Sequence, residues 1–149
     1  MSTCCDRTIS CFDVKMGATL SSDRVVTPPT VPLNQPASCA MLRLSRECGD
    51  IEYTVAICNL TSPVTSATIS SGAVGVDGTV LKTLDVSCGN NSRNGEAEFC
   101  GFWRCDDTTE PLTGPIVDTI LTGGAYIRVN TNNNPAGEIR GQIFITNDF

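Results

Sequence analysis

Tyr126-Ile-Arg-Val-Asn-Thr131 and Glu138-Ile-Arg-Gly-Gln-Ile-Phe-Ile-Thr146 flank Asn132-Asn-Asn-Pro-Ala-Gly137. The flanks are rich in Ile, Val and aromatic residues, which fit a pleated, half-buried surface. The segment between them is built from Asn, Pro and Gly, the residues that turn a chain. Two such runs around such a segment predict a hairpin that closes the chain, with strands over 126–131 and 138–146.

The same period extends upstream. Phe12, Val14, Met16, Ala18 and Leu20 alternate with more polar neighbours, as do Ala40, Leu42 and Leu44, and then Ile51, Tyr53, Val55 and Ile57. A period of two places one set of side chains on a buried face. Shorter strands are expected over 65–70 and 79–86, around the turn region Gly72-Ala-Val-Gly-Val-Asp-Gly78, and over 96–104, which carries Phe99, Phe102 and Trp103. Cys48-Gly-Asp50 reads as a turn. Pro28, Pro29, Pro32 and Pro36 make residues 23–36 a loop or edge crossing, because proline lacks the N–H that a central strand uses. One segment departs from the pattern: Ile116, Val117, Ile120 and Leu121 have helical spacing, so a short helical turn is expected near 116–122, ended by Gly123-Gly124. Turn signals about every 8–12 residues predict an all-β antiparallel sandwich, Ig-like or jelly-roll-like.

Composition fits one domain. The chain has 149 residues, 40% hydrophobic and 17% charged, which excludes a disordered or highly charged class. A net charge of −6 argues against nucleic acid, which needs a basic stripe. No apolar run approaches the roughly 20 residues that span a bilayer, so membrane insertion is not expected. Residues 1–11 carry no apolar stretch of the secretory-signal kind. The domain reading is an amino-terminal arm over 1–11 and a β-sandwich body over 12–149.

The closing hairpin is similar to the segment that ends CHRD (chordin-type) domains. The residues that carry the likeness are Tyr126-Ile-Arg-Val-Asn-Thr131 and Asn134-Pro-Ala-Gly-Glu-Ile-Arg-Gly-Gln-Ile143. Upstream, Val64-Thr-Ser-Ala-Thr-Ile-Ser-Ser-Gly72 and Gly75-Val-Asp-Gly78 resemble the family's Ala-His-Ile-His-x-Gly segment and its following glycines, so the likeness covers about 12–147. The resemblance implies a β-sandwich module without established catalytic activity. Where the family often carries three histidines, this chain has Thr68, Ser70 and Asn130. Three histidines there would suit a transition metal, whereas neutral oxygens and an amide do not. These three residues are therefore expected to hydrogen-bond between strands, and neither metal nor cofactor is expected.

Other chemistry is sparse. The chain has no histidine, so neither a Ser-His-Asp nor a Cys-His site can be assembled, and an enzyme is not expected. Glu138 and Arg140, two apart on one strand face, are expected to form a charged pair that fixes the closing hairpin, with Gly137 and Gly141 allowing close backbone approach. Asp106, Asp107 and Glu110 read as a solvated turn in preference to a weak calcium site. Asn59-Leu-Thr61 and Asn90-Asn-Ser92 are glycosylation sequons, which matter only on a eukaryotic secretory route.

Nine cysteines are many for a cytosolic chain, and without a CxxC pair or a histidine they make a poor metal set. Disulfides in an oxidising compartment are the leading reading. Cys39, Cys48, Cys58, Cys88, Cys100 and Cys105 are candidates within the body; all six allow 15 connectivities. Cys88 bonded to Cys100 or Cys105 would staple a long loop to the strand of Trp103. Cys4, Cys5 and Cys11 are candidates for bonds to other molecules, and because nine is odd, not every cysteine can pair within one chain. Extended, the arm would span roughly 36–40 Å at ~3.3–3.6 Å per residue, enough to reach a neighbouring subunit. It also resembles the amino-terminal connector of the subunits of Bacillus endospore appendages, in which a Cys-Cys pair followed by a further Cys cross-links a fibre. The alternative is an arm that folds back onto its own domain.

The functional expectation is a self-assembling structural subunit of an extracellular fibre or coat, on a cell or spore surface, whose partners are copies of itself. The alternatives are a monomeric secreted module that binds protein or glycan, and a virion surface protein. No small-molecule substrate is expected.

Overall fold

The structure is a computed structural model that describes residues 14–26, 37–45, 49–86, 90–91 and 96–146. The arm, the four prolines over 28–36, Cys48 and Cys88 lie outside the described residues.

Each alternating stretch is a strand. In chain order these are β1 (Val14–Leu20), β2 (Ala37–Ser45), β3 (Asp50–Cys58), β4 (Val64–Ser71), β5 (Val80–Thr83), β6 (Asn90–Asn91) and β7 (Ala97–Trp103). A helix, α1 (Gly114–Leu121), follows, and then β8 (Ala125–Thr131), β9 (Ile139–Gln142) and β10 (Phe144–Ile145). A 3-10 turn over Ser22–Arg24 follows β1. The strands form a six-stranded sheet in the order β10-β1-β2-β3-β7-β6 and a four-stranded sheet in the order β5-β4-β8-β9. All strand pairs are antiparallel. The fold is an all-β sandwich, as the alternation predicts.

The inner faces are the ones legible in the sequence. Met16, Ala18 and Leu20 of β1, Leu42 and Leu44 of β2, and Tyr53 and Val55 of β3 are buried against Ala67 and Ile69 of β4 and Ile127 and Val129 of β8 in one core. Each large apolar side chain fully withdrawn from water there contributes roughly 1.5–3 kcal/mol. Tyr53 keeps its polar end satisfied, its hydroxyl accepting the Asp85 N–H at 2.9 Å. Opposite it in the ladder is Gly101; a Cβ at that position would stand 2.4 Å from the Tyr53 hydroxyl. Trp103 is fully buried and its Nε1–H donates to the Glu110 carbonyl at 2.7 Å, which ties β7 to the loop that follows.

Helix α1 fits the expectation near 116–122, starting two residues earlier with a proline in its first turn. Ile120 is buried and Ile116, Val117 and Leu121 pack against the core. The Gly124 N–H donates to the Thr119 carbonyl at 2.9 Å, after Gly123 has turned to φ +84°.

Two expectations need correction. The strand read over 138–146 is two strands in different sheets: β9 pairs with β8, and β10 pairs with β1 through Gly17↔Phe144 and Met16↔Ile145. The switch falls at Ile143, whose side chain is buried and whose N–H donates to Ala125 at 3.0 Å. The strand read over 79–86 is limited to the four residues of β5, after which Leu84 enters the core. Along β7, Phe99 and Trp103 face the core while Phe102 between them is exposed, as the period of two requires.

The two sheets are stitched at one corner. Beyond β1, Ser21 forms a two-bond bridge with Arg140, N to O at 3.0 Å and 3.1 Å. Gly141 makes the approach possible, because a Cβ there would lie 2.2 Å from the Thr19 carbonyl oxygen. The close approach expected of the flanking glycines is realised at this point.

Candidate functional site

The loop between β4 and β5 folds over part of the outer face of the four-stranded sheet, above Tyr126 and Arg140. Tyr126 is buried on that face, its hydroxyl accepting the Gly78 N–H at 3.1 Å. The Arg140 guanidinium lies 3.5 Å from the centre of the Tyr126 ring. It donates to the Ala73 and Val76 carbonyls at 2.8 Å and 2.7 Å, and pairs with Asp77 at 3.0 Å. Arg128 stands directly opposite Arg140 in the ladder and its Nη1 is 3.7 Å from the same Asp77 oxygen. Like charges facing each other across strands repel, and Asp77 offsets that repulsion by sitting between them.

Glu138 organises a second cluster, at the other end of the hairpin. Its carboxylate is fully buried and accepts the Thr61 N–H at 2.8 Å, the Thr131 hydroxyl at 2.7 Å, the Asn134 amide at 3.1 Å, and the Thr61 hydroxyl. Glu138 and Arg140 were expected to pair with each other, and they do not. Each instead ties the hairpin to a different loop, Glu138 to the residues after β3 and Arg140 to the residues after β4. The partners are far away in sequence, and spacing along one strand carries no sign of them. The Thr61 hydroxyl, part of the first glycosylation sequon, is thereby committed to Glu138.

Thr68, Ser70 and Asn130 are all buried on this outer face. The Ser70 hydroxyl lies 3.4 Å from that of Thr68, and the Asn130 amide donates to the Ser66 hydroxyl at 2.8 Å. The Asn130–Ser66 bond is of the between-strand kind expected, while Ser70–Thr68 runs along one strand. Among the described residues no group of three His, Cys, Asp or Glu side chains could hold a metal ion.

The acidic loop after β7 is engaged in structure. One Asp107 oxygen accepts the Glu110 and Thr109 backbone N–H groups at 3.0 Å and 2.9 Å, and the other accepts Lys82 Nζ at 3.1 Å. Those backbone donors, with Lys82 after them, hold the Asp107 carboxyl well below the usual carboxylate range. Glu110 accepts the Thr83 N–H and hydroxyl, so this loop clamps β5. The loop is bound to the protein's own cation and amides, which is more order than a solvated turn implies.

The outer face of the six-stranded sheet is different in kind. Its cross-strand rows are read from the register: Lys15, Arg43, Glu52 and Phe102; then Phe144, Gly17, Met41, Thr54 and Cys100; then Thr19, Cys39, Ala56 and Glu98. Met41 is 69% exposed, Phe144 50% and Phe102 48%, large apolar side chains on a face with few neighbours to cover them. A groove of about 650 Å³ runs between Met41 and Phe144, floored by Gly17. The Arg43–Glu52 ion pair beside it is exposed on both sides and contributes little stability.

Four body cysteines are described. Cys100 and Cys105 are disulfide-bonded. Cys39 is an exposed thiol on the six-stranded sheet's outer face, and Cys58 is exposed on the same face. Cys58 is two residues beyond Ala56, the residue opposite Cys39. Cys4, Cys5, Cys11, Cys48 and Cys88 lie outside the described residues. No helix among the described residues is long and apolar enough to cross a membrane.

The two anchors of the closing hairpin thus explain why Glu138-Ile-Arg-Gly-Gln reads as a motif: every member of it but Ile139 makes a bond or a close approach outside its own strand, and Ile139 is buried in the core. The family model of the CHRD domain matches residues 16–143, and the chain belongs to that family. CHRD domains are typically extracellular modules of a binding or structural kind. No curated protein and no solved structure matched the chain.

Proposed function

We propose that this CHRD-domain chain is a self-assembling structural subunit of an extracellular fibre or coat, of the kind carried on a bacterial spore, and that it is not an enzyme. The amino-terminal arm links copies through disulfides of Cys4, Cys5 and Cys11. The observation that carries the reading is the pairing of a Cys-rich polar arm with a body whose six-stranded sheet leaves Met41, Phe144 and an exposed Cys39 on one face. Identical subunits joined head to tail form an open helix whenever the rotation between them does not close. A covalent bond at each joint makes a reversible contact resistant to denaturant. Forming it removes two protons and two electrons from a pair of thiols, which pass to molecular oxygen or to a low-molecular-weight disulfide that is reduced to two thiols.

Sedimentation and negative-stain electron microscopy of the full chain after air oxidation test this directly. Ordered fibres or arrays in the unaltered chain, and their loss when Cys4, Cys5 and Cys11 are replaced by Ser, are the expected results. A monodisperse monomer at every concentration would contradict the proposal and favour a secreted module that binds a protein or glycan.

A further inference from the structure

A buried donor or acceptor without a partner is costly, and in folded proteins such groups are satisfied by protein or by ordered water. Two atoms on the outer face of the four-stranded sheet stand out against that rule. The Arg128 Nε–H is a donor and the Asn130 Oδ1 an acceptor; both are buried, and neither has a hydrogen-bond partner among the described residues. They belong to alternate residues of β8, whose side chains share that face.

We infer that a single internal water molecule is held between these two atoms as part of the fold. Asn130 is 8% exposed, and its amide nitrogen is committed to Ser66, directly opposite in the ladder, at 2.8 Å. That bond leaves Oδ1 as the open end of the side chain. Gly137 sets the course of the arginine: a Cβ there would lie 2.9 Å from Arg128 Cδ and 3.2 Å from its Cγ. Gly137 comes three residues before Arg140, which stands opposite Arg128, so the arginine stem leans along β8 toward the end that Asn130 occupies. Nε follows Cδ in the same direction. Val25 is buried, and its Cγ1 lies 3.1 Å from that same point, so the turn after β1 covers the place.

Distance and charge select the ligand. Alternate residues of a strand stand about 6.8 Å apart. Two hydrogen bonds of about 2.9 Å each through one oxygen span up to about 5.8 Å, which matches side chains that lean toward each other without touching. Thr68, buried and directly opposite Arg128, supplies a hydroxyl as a third partner. An anion would suit the Nε–H but would face the lone pairs of Oδ1. A cation would suit Oδ1 but would face the guanidinium. Water accepts from Nε–H, gives a hydrogen to Oδ1 and brings no charge, and the charge of Arg128 is already answered by Asp77 at 3.7 Å. Polar contacts then run without a break from Ser66 through Asn130, the water and Arg128 to Asp77 in the loop over 72–78.

The test is a high-resolution crystal structure of the full chain carrying Cys4→Ser, Cys5→Ser and Cys11→Ser, which blocks linkage through the arm, with the crystals soaked in bromide. The expected result is one density peak within hydrogen-bond distance of both Arg128 Nε and Asn130 Oδ1, with no anomalous signal. A direct bond between the two side chains, an empty gap, or a bromide peak at that place would each overturn the inference. A double-mutant cycle on the same chain checks it in solution. Asn130→Leu and Arg128→Leu each strand the water and the other partner, whereas the double variant removes both ends together. Its folded-to-unfolded ratio should exceed severalfold the value to which the two single losses multiply. Losses that simply multiply would show that the two groups share no ligand.

Discussion

Glu138 enters β9 with its carboxylate wholly out of water and four donors aimed at it, from Thr61, Thr131 and Asn134. Removing an acceptor from buried donors costs more than the bonds contributed, because the donors lose water as well. Glu138→Gln turns one oxygen into a donor facing donors, and should lower unfolding stability by about 1–3 kcal/mol in urea titration. Gly141 is a steric requirement: a Cβ 2.2 Å from the Thr19 oxygen cannot be accommodated without parting β1 from β9. Gly141→Ala should cost about 3 kcal/mol or more by the same measurement. Gly75 makes the contrast, since nothing lies within 4 Å of its would-be Cβ and only its φ of +80° opposes a side chain. Gly75→Ala should therefore cost only about 1 kcal/mol. That Glu138 and Arg140 share a strand face was legible from their spacing. Which loops they hold was not, since Thr61 and Asp77 come from segments more than sixty residues upstream.

Among elements, strands with one wet face were the most legible, because burial imposes a period of two on β1, β2 and β3. The break at Ile143 was invisible, since alternation continues smoothly through Gln142, Ile143 and Phe144 while the ladder partner changes from β8 to β1. The loop over 72–78 looked like a plain turn, and its work as a lid depends on Arg140 and Tyr126. Asp77→Asn leaves two facing guanidinium groups without their shared counter-charge. It should speed hydrogen exchange at Gly78 by tenfold or more, the effect of about 1.4 kcal/mol on local opening. The loop after β7 is pH-sensitive in a definite direction. The Asp107 carboxyl is held below its ordinary pKa by the Glu110 and Thr109 amides and then by Lys82. Its contribution is fully present above the ordinary carboxylate pKa of about 4 and is lost as pH falls below that value. Fluorescence of the single tryptophan, Trp103, whose indole is bonded to the Glu110 carbonyl, should report progressive loosening of this loop as pH falls from about 4 toward the lowered folded-state value of Asp107. Asp107→Asn should remove that acid transition.

For the whole molecule, the sandwich buries one face of each sheet completely, and the two outer faces have different fates. The four-stranded sheet is covered in part by its own loop, with Tyr126 and Arg140 beneath it. The six-stranded sheet presents Met41, Phe102, Phe144 and Cys39. The family membership, legible in the closing hairpin, accounts for the body and says nothing of the arm. Disulfide-linked assembly, as proposed, places Cys4, Cys5 and Cys11 of one copy in bonds to another copy. The most direct measurement is a denaturing gel of freshly oxidised full-length protein, run with and without a strong reductant. A ladder, or material held at the well, that collapses to one monomer band only on reduction is what a disulfide-linked polymer predicts. A monomer band of equal intensity in both lanes would contradict it.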